Sequence, residues 1–383
     1  MKGSLKPTFA KYIGGNYIIW FEKTNQYVIA SDFLYHLITI FLNSENITEF
    51  KRHNKSTFDE TQARLTYKEL SSFLYEANSL QVESIPNEKF SDTKLDLTPV
   101  SNYYYYIGEK SLNLRFSDDP IFNLIKERLS QFKVHKANEN LICFDFKISN
   151  GIAYLEKQGQ LIAKYPYSKM HYLFGKFSME LISNLYSFPT TSWLATLHAS
   201  TVCDENQAIM LVGESGNGKS TLAGLCLLNG LSLLADDFTP LSSKSLKLYK
   251  NPSAISIKEG AFNQFKNIPD NLRISEAKIN PKKQIAVRYL QEKAIDLTTP
   301  SRRCNKIVYV QYSKTEGQYL KSVSSDKILK SLIPDSWISP KKEHAESFLN
   351  WIGECQFYEL IYHENKFAIE KIKTLFKNNH IVD

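Results

Sequence analysis

The chain has 383 residues, 43% of them hydrophobic, which is ample for sizeable cores and argues against a wholly disordered chain. Lys plus Arg outnumber Asp plus Glu by 47 to 40, and the resulting charge of +7 is spread along the chain rather than gathered in a patch, which argues against a nucleic-acid partner. No apolar run approaches the roughly 20 residues of a bilayer span, and five scattered cysteines without a Cys-x-x-Cys pair suggest neither a zinc site nor a disulfide framework, so a reduced, cytoplasmic protein with no membrane partner is expected.

Residues 17–21 and 27–30 read as two short strands around the turn Thr24-Asn25-Gln26. Ser31-Asp32 then caps a helix in which Phe33, Leu34, Leu37, Ile40 and Phe41 fall near a 3.6 period. Residues 58–79, with Leu65, Leu70, Phe73 and Leu74, give another. Residues 1–82 thus form a small strand, strand, helix module. It is either a structural cap or a peptide-docking unit that takes a bound strand on an exposed edge. Residues 83–100 read as a linker, and residues 101–383 as a catalytic domain with a β-rich lead-in over 101–190. The lead-in holds strands at 103–107, 141–146, 152–155 and 161–163, an Asn150-Gly151 hairpin turn and a helix over 172–187. From Ala195 short buried strands alternate with a helix, the pattern of an α/β unit.

The strongest signal is Gly213-Glu214-Ser215-Gly216-Asn217-Gly218-Lys219-Ser220, which fits G-x-x-x-x-G-K-[ST]. Glycines let backbone amides turn inward around phosphate oxygens, Lys219 supplies a point charge, and the Ser220 hydroxyl can ligate Mg²⁺. The context agrees. Residues 208–212 are an unbroken apolar run, and Leu222, Leu225 and Cys226, with a stop at Gly230, mark a helix whose positive N-terminal end would face the same phosphates. Nucleotide binding by residues 213–220 and Thr221 follows. A second buried strand, 231–235, ends in Asp236-Asp237, where open α/β sheets bind ligands; one carboxylate can hold metal and the other act as base.

Leu197-His198-Ala199-Ser200, the loop from Gly213 to Thr221, and Leu233-Leu234-Ala235-Asp236-Asp237 together resemble the catalytic domain of HPr kinase/phosphorylase and its relatives. These are bacterial serine kinases with a fold similar to phosphoenolpyruvate carboxykinase. His198 lies 15 positions before Gly213, and Asp236 lies 17 positions after Lys219. The resemblance covers residues 190–310 well and the C-terminal tail weakly. It implies an α/β domain with a mixed sheet and a kinase of protein hydroxyls using ATP and Mg²⁺. It further implies Asp236 as general base, His198 hydrogen-bonded to it, Ser220 and Asp237 on Mg²⁺, and Lys219 on the phosphates. Two departures stand out. Thr221 replaces the acidic residue usual after the loop serine, and residues 17–79 resemble instead the PqqD-like peptide-recognition module. The substrate expected is therefore a peptide or small protein, such as a ribosomally made precursor peptide; a homo-oligomer is compatible with the sequence.

Lys258-Glu259-Gly260 follows an alternating stretch and resembles a segment of HPr-kinase-like proteins. Glu259 could be a second metal carboxylate and Lys258 could reach phosphate, the other reading being an exposed turn. Phosphoryl transfer benefits from an Arg clamp. Of only eight arginines the adjacent Arg302-Arg303 stand out, Arg303 being favoured over Arg288 and Arg273. Residues 345–376 read as helix, strand, helix with Phe348 and Trp351 in the core, and the cysteines read as structural. A small-molecule kinase with the same site, or a P-loop ATPase or nucleotide-binding regulator without an acceptor, are the alternatives.

Overall fold

The structure, a computed structural model, describes residues 2–54, 58–79, 99–136, 140–281 and 283–377. The expected linker falls on residues 83–100, of which 83–98 lie outside the described residues. Strands β1 (Phe9–Ile13), β2 (Asn16–Phe21) and β3 (Gln26–Ala30) form an antiparallel three-stranded sheet, followed by helices α1 (Asp32–Asn43), α2 (Ile47–His53) and α3 (Glu60–Asn78). The caps are local: the Ser31 side chain accepts from Leu34 N–H, and Asp59 and Gln62 form a reciprocal capping box. The period of two along β2 divides its side chains between two cores. Ile19 and Phe21 face the helices with Leu37, Phe41 and Leu74, whereas Ile18 and Trp20 face the other way, into the core of the largest sheet.

A six-stranded sheet follows, built from β4 (Ser101–Ile107), β5 (Lys110–Phe116), β6 (Lys133–Val134), β7 (Leu141–Ser149), β8 (Ile152–Lys157) and β9 (Gln160–Pro166) in the order β6-β4-β5-β7-β8-β9. Only β5 and β7 run parallel. Short α4 (Asn123–Arg128) lies in the β5–β7 crossover, and α5 (Met170–Leu185) sets Phe177 against Phe144 and Phe146. Asn150 and Gly151 both adopt positive φ, as the expected hairpin turn requires.

The rest forms a ten-stranded mixed sheet and a four-stranded one. The strands are β10 (Trp193–Leu197), β11 (Ser200–Cys203), β12 (Gln207–Val212), β13 (Ser232–Ala235), β14 (Thr239–Ser242) and β15 (Leu248–Tyr249), then β16 (Ile255–Lys258), β17 (Leu272–Ile274), β18 (Lys278–Asn280), β19 (Ile285–Glu292), β20 (Ser301–Tyr312), β21 (Tyr319–Ser322), β22 (Trp337–Ile338) and β23 (Gln356–Tyr362). The helices are α6 (Lys219–Leu228), α7 (Ser325–Leu332), α8 (Lys342–Gly353) and α9 (Asn365–Lys377). The sheet runs β13-β11-β12-β20. Beyond β20 it divides, toward β15-β14-β10-β22 from the start of that strand and toward β23 and β21 from its far half. β12, β20 and β23 are parallel, so their C-terminal ends share one rim. Leu222 and Leu225 of α6 and Ile369 and Ile372 of α9 are buried on one face. Ile328 and Leu329 of α7 and Phe348 and Ile352 of α8 are buried with Ile18 and Trp20 in the core on the other. The four-stranded sheet, β16-β19-β17 with β18 on β19, leans on α6 through Ile255, Ile257 and Leu290. The fold is thus mixed α/β, with two mixed sheets and two antiparallel ones among the described residues rather than a simple alternation of strands and helices. Among the described residues no helix is long and apolar enough to cross a membrane.

Candidate active site

The loop from Gly213 to Ser220 joins β12, buried from Ala208 to Val212, to α6. Gly213, Gly216 and Gly218 have φ of 144°, 102° and 93°, a region side chains rarely adopt. A Cβ at Gly213 would lie 2.7 Å from the Val310 carbonyl oxygen of neighbouring β20, and one at Gly218 would lie 3.1 Å from the Tyr362 hydroxyl. Glu214, Ser215 and Gly216 are exposed at the apex. Asn217 pins the loop to β20: its amide donates to the Tyr309 hydroxyl (3.2 Å), and its carbonyl accepts from Tyr312 N–H (3.1 Å). Lys219 is buried and donates to the Gly213 and Glu214 carbonyls. Burial lowers its pKa, with Asp237 and Asp236 opposing.

β13 delivers the two acidic residues to the same rim. Asp236 is fully buried. Its Oδ1 accepts from Ser200 Oγ (2.5 Å) and Ser220 Oγ (2.9 Å), and its Oδ2 accepts from Ser256 N–H (3.3 Å). Burial and then the neighbouring Asp237 push its pKa up to about 6, against the pull of Ser200, Arg128 and Ser220. Asp237 turns through a positive φ of 62°, which Asp tolerates better than most, and is only partly buried. Burial would raise its pKa, but Arg128, then His198 and Lys219, hold it below the usual carboxylate range. Arg128 Nη2 donates to Asp237 Oδ2 (2.8 Å) and to Ser256 Oγ (3.2 Å).

These contacts distribute the expected residues unevenly. Lys219, Ser220, Asp236 and Asp237 come together at the foot of the loop. Ser220 donates to Asp236 (2.9 Å), whereas the resemblance implies Asp237 as the partner of Ser220 on the metal. No hydrogen bond joins the His198 ring to Asp236; the charge of His198 acts on Asp237, and its backbone N–H donates to Ser336 Oγ (3.0 Å). Thr221 is half-buried in the first turn of α6. Lys258 is exposed at the end of β16, near enough to depress Lys219. Glu259 opens the exposed 3₁₀ turn after β16 and accepts from Ala286 N–H (3.4 Å), facing β19 rather than the acidic pair. Arg303 lies inside β20, opposite Gln207 at the far end of β12 from the loop. Six residues of strand, roughly 20 Å, therefore separate it from Gly213, the first glycine of the loop. Arg302 is spent on the Asp204, Thr299 and Ser301 carbonyls. The arginine that does reach the site, Arg128, comes from α4 in the lead-in and carried no motif. Among the described residues no group of three or more His, Cys, Asp or Glu could hold a metal ion by itself. A magnesium ion, which takes one or two carboxylates with a hydroxyl and phosphate oxygens, fits what is present: Ser220 beside Asp236 with Asp237 adjacent.

No family model and no curated protein matches the chain. Among solved structures it is similar to the Hpr(Ser) kinase/phosphatase from Coxiella burnetii, at 14% identity over 48% of this chain and 94% of that one, with a TM-score of 0.22.

Proposed function

We propose that the chain is an ATP-dependent, Mg²⁺-requiring phosphotransferase that moves the γ-phosphoryl group to a Ser or Thr hydroxyl of a peptide or small protein. The observation that carries the reading is the pairing of Ser220 with fully buried Asp236 directly beneath the glycine loop, with Lys219 and Asp237 alongside. The exposed apex from Glu214 to Gly216 presents backbone amides to the phosphates. Lys219 exchanges its loop carbonyls for phosphate oxygens. Ser220 and Asp236 hold the Mg²⁺, which when bound supplies charge neutralisation on the phosphates.

The contacts favour a different division of the acidic pair from the one implied by the resemblance. Asp236 has no surface through which to meet an acceptor, and its Oδ1 accepts from the Ser220 hydroxyl that would hold the metal, so it is assigned to the metal side behind Ser220 and would exchange an internal donor for the ion. Asp237 is partly exposed, kept ionised by Arg128 and close to His198, so it orients the acceptor hydroxyl and takes its proton as the new P–O bond forms and the bond to the leaving ADP oxygen breaks. In a loose transition state that proton moves late, so a carboxylate of low basicity suffices. Glu259 and Arg303 have no part in this site. Residues 1–82 are proposed to help hold the peptide, and a cytoplasmic location fits such a substrate.

The test is transfer of label from γ-labelled ATP to serine- and threonine-containing peptides. Label on a hydroxyl is the expected result; hydrolysis indifferent to any acceptor would leave an ATPase instead. Asp237→Asn is expected to lower transfer by about 10²–10⁴-fold with little change in nucleotide affinity. Asp236→Asn should instead weaken the dependence of ATP binding on Mg²⁺. The reverse pattern would restore the base to Asp236.

A further inference from the structure

The geometry points to Tyr312 as the platform on which the base of the bound nucleotide stacks, an inference that rests on the nucleotide reading above. The strand order β13-β11-β12-β20-β23 sets the glycine loop between two flanks of one rim. On one flank, two strands away, β13 ends in Asp236-Asp237. On the other, β20 and β23 end in Tyr312 and Tyr362, which are register partners. A triphosphate whose terminal group lies at the acidic pair must therefore run over the loop toward the ends of β20 and β23.

An aromatic ring waits there. Tyr312 N–H donates to the Asn217 carbonyl, and a Cβ at Gly218 would lie 3.6 Å from the Tyr312 Cβ, so the ring is rooted beside the last turn of the loop. Tyr362 supports it edge-on, with centroids 5.5 Å apart and planes at 76°. Tyr362 is itself 1% exposed in the α6–α9 core, whereas Tyr312 is 43% exposed. The buried ring fixes the exposed one, leaving an unspent aromatic surface within reach of the phosphate loop. The ligand that such a surface takes is a planar heteroaromatic base, and a purine offers the larger stacking face.

The experiment compares Mg²⁺-ATP with inorganic tripolyphosphate, which carries the phosphates and no base, by calorimetry on the full chain. Wild-type protein should bind ATP tighter than tripolyphosphate. Tyr312→Ala should weaken ATP by roughly 5- to 100-fold while leaving tripolyphosphate within about twofold, and Tyr312→Phe should keep both. Retained tripolyphosphate binding shows in the same assay that the variant is folded; if the variant does not fold, the wild-type ratio of the two affinities stands as the test, and equality overturns the proposal. Equal loss of both ligands in Tyr312→Ala, or no loss of ATP, overturns the platform and leaves the nucleotide reading intact. Failure of wild-type protein to bind either probe removes that reading and the platform with it.

Discussion

At Asp236 three donors converge on one carboxyl, and burial together with the adjacent Asp237 still outweighs them, pushing its pKa up to about 6. Because the folded state then holds a proton that the unfolded chain releases near pH 4, this group's contribution is fully present at low pH and is lost as the pH rises through about 6. Asp236→Asn is therefore expected to be close to neutral at pH 4 and to stabilise the ligand-free protein by ~1–3 kcal/mol at pH 8. Urea unfolding at the two pH values checks this, and a variant effect that does not change between them refutes it. Asp236, Lys219 and Ser220 were legible in the sequence because a short phosphate-loop pattern and a strand ending in acid are contiguous signals. Which carboxylate meets Ser220 was not, since it depends on the turn at Asp237 with its positive φ.

At the scale of the element, the loop's glycines do different work. Gly213 cannot carry a Cβ without striking a backbone oxygen of β20, whereas Gly216, equally left-handed, faces open space. Both alanine variants incur about 1–2 kcal/mol of backbone strain. Gly213→Ala must also displace β20, so its melting temperature should fall well below that of Gly216→Ala, which keeps the fold and loses nucleotide affinity. Ligand-free thermal scans rank the two, and equal shifts would show that β20 yields. Helices α1, α3 and α5 announced themselves by apolar residues at helical spacing, α1 also by its Ser31 cap. Strands β1 and β5 did not. β1 is five residues with alternate positions exposed, and β5, although Leu112, Leu114 and Phe116 alternate with polar residues after the turn at Gly108, lacks the continuous aromatic or apolar run of β4 and β7. The identity of β1 as a strand comes from its partner β2, which local pattern does not encode.

Across the whole molecule, the lead-in and the catalytic half meet at Arg128. Its carbonyl accepts from Ala254 N–H (2.9 Å), Gln131 donates to the Pro252 carbonyl (3.0 Å), and its guanidinium holds an acid 109 residues away in sequence. That separation is why the sequence passed over Arg128 for the adjacent pair Arg302-Arg303. In a double-mutant cycle of Arg128→Met and Asp237→Asn, each single change should destabilise by ~1–3 kcal/mol, less than for a fully buried pair because both side chains are about a third exposed. The double variant should recover ~1 kcal/mol or more of the sum, and strict additivity would show the contact to be incidental.

The shared filling of the large sheet by Ile13, Ile18 and Trp20 has a practical corollary. A shortened chain that begins after α3 would not be a lighter catalytic unit. It would expose the seats of an indole and two isoleucines beside α7 and α8, and it would sever the Asn25 amide from the Ile338 carbonyl, two residues along from the hydroxyl that receives the His198 N–H. The amino-terminal layer is upholstery for the active half, not luggage attached to it.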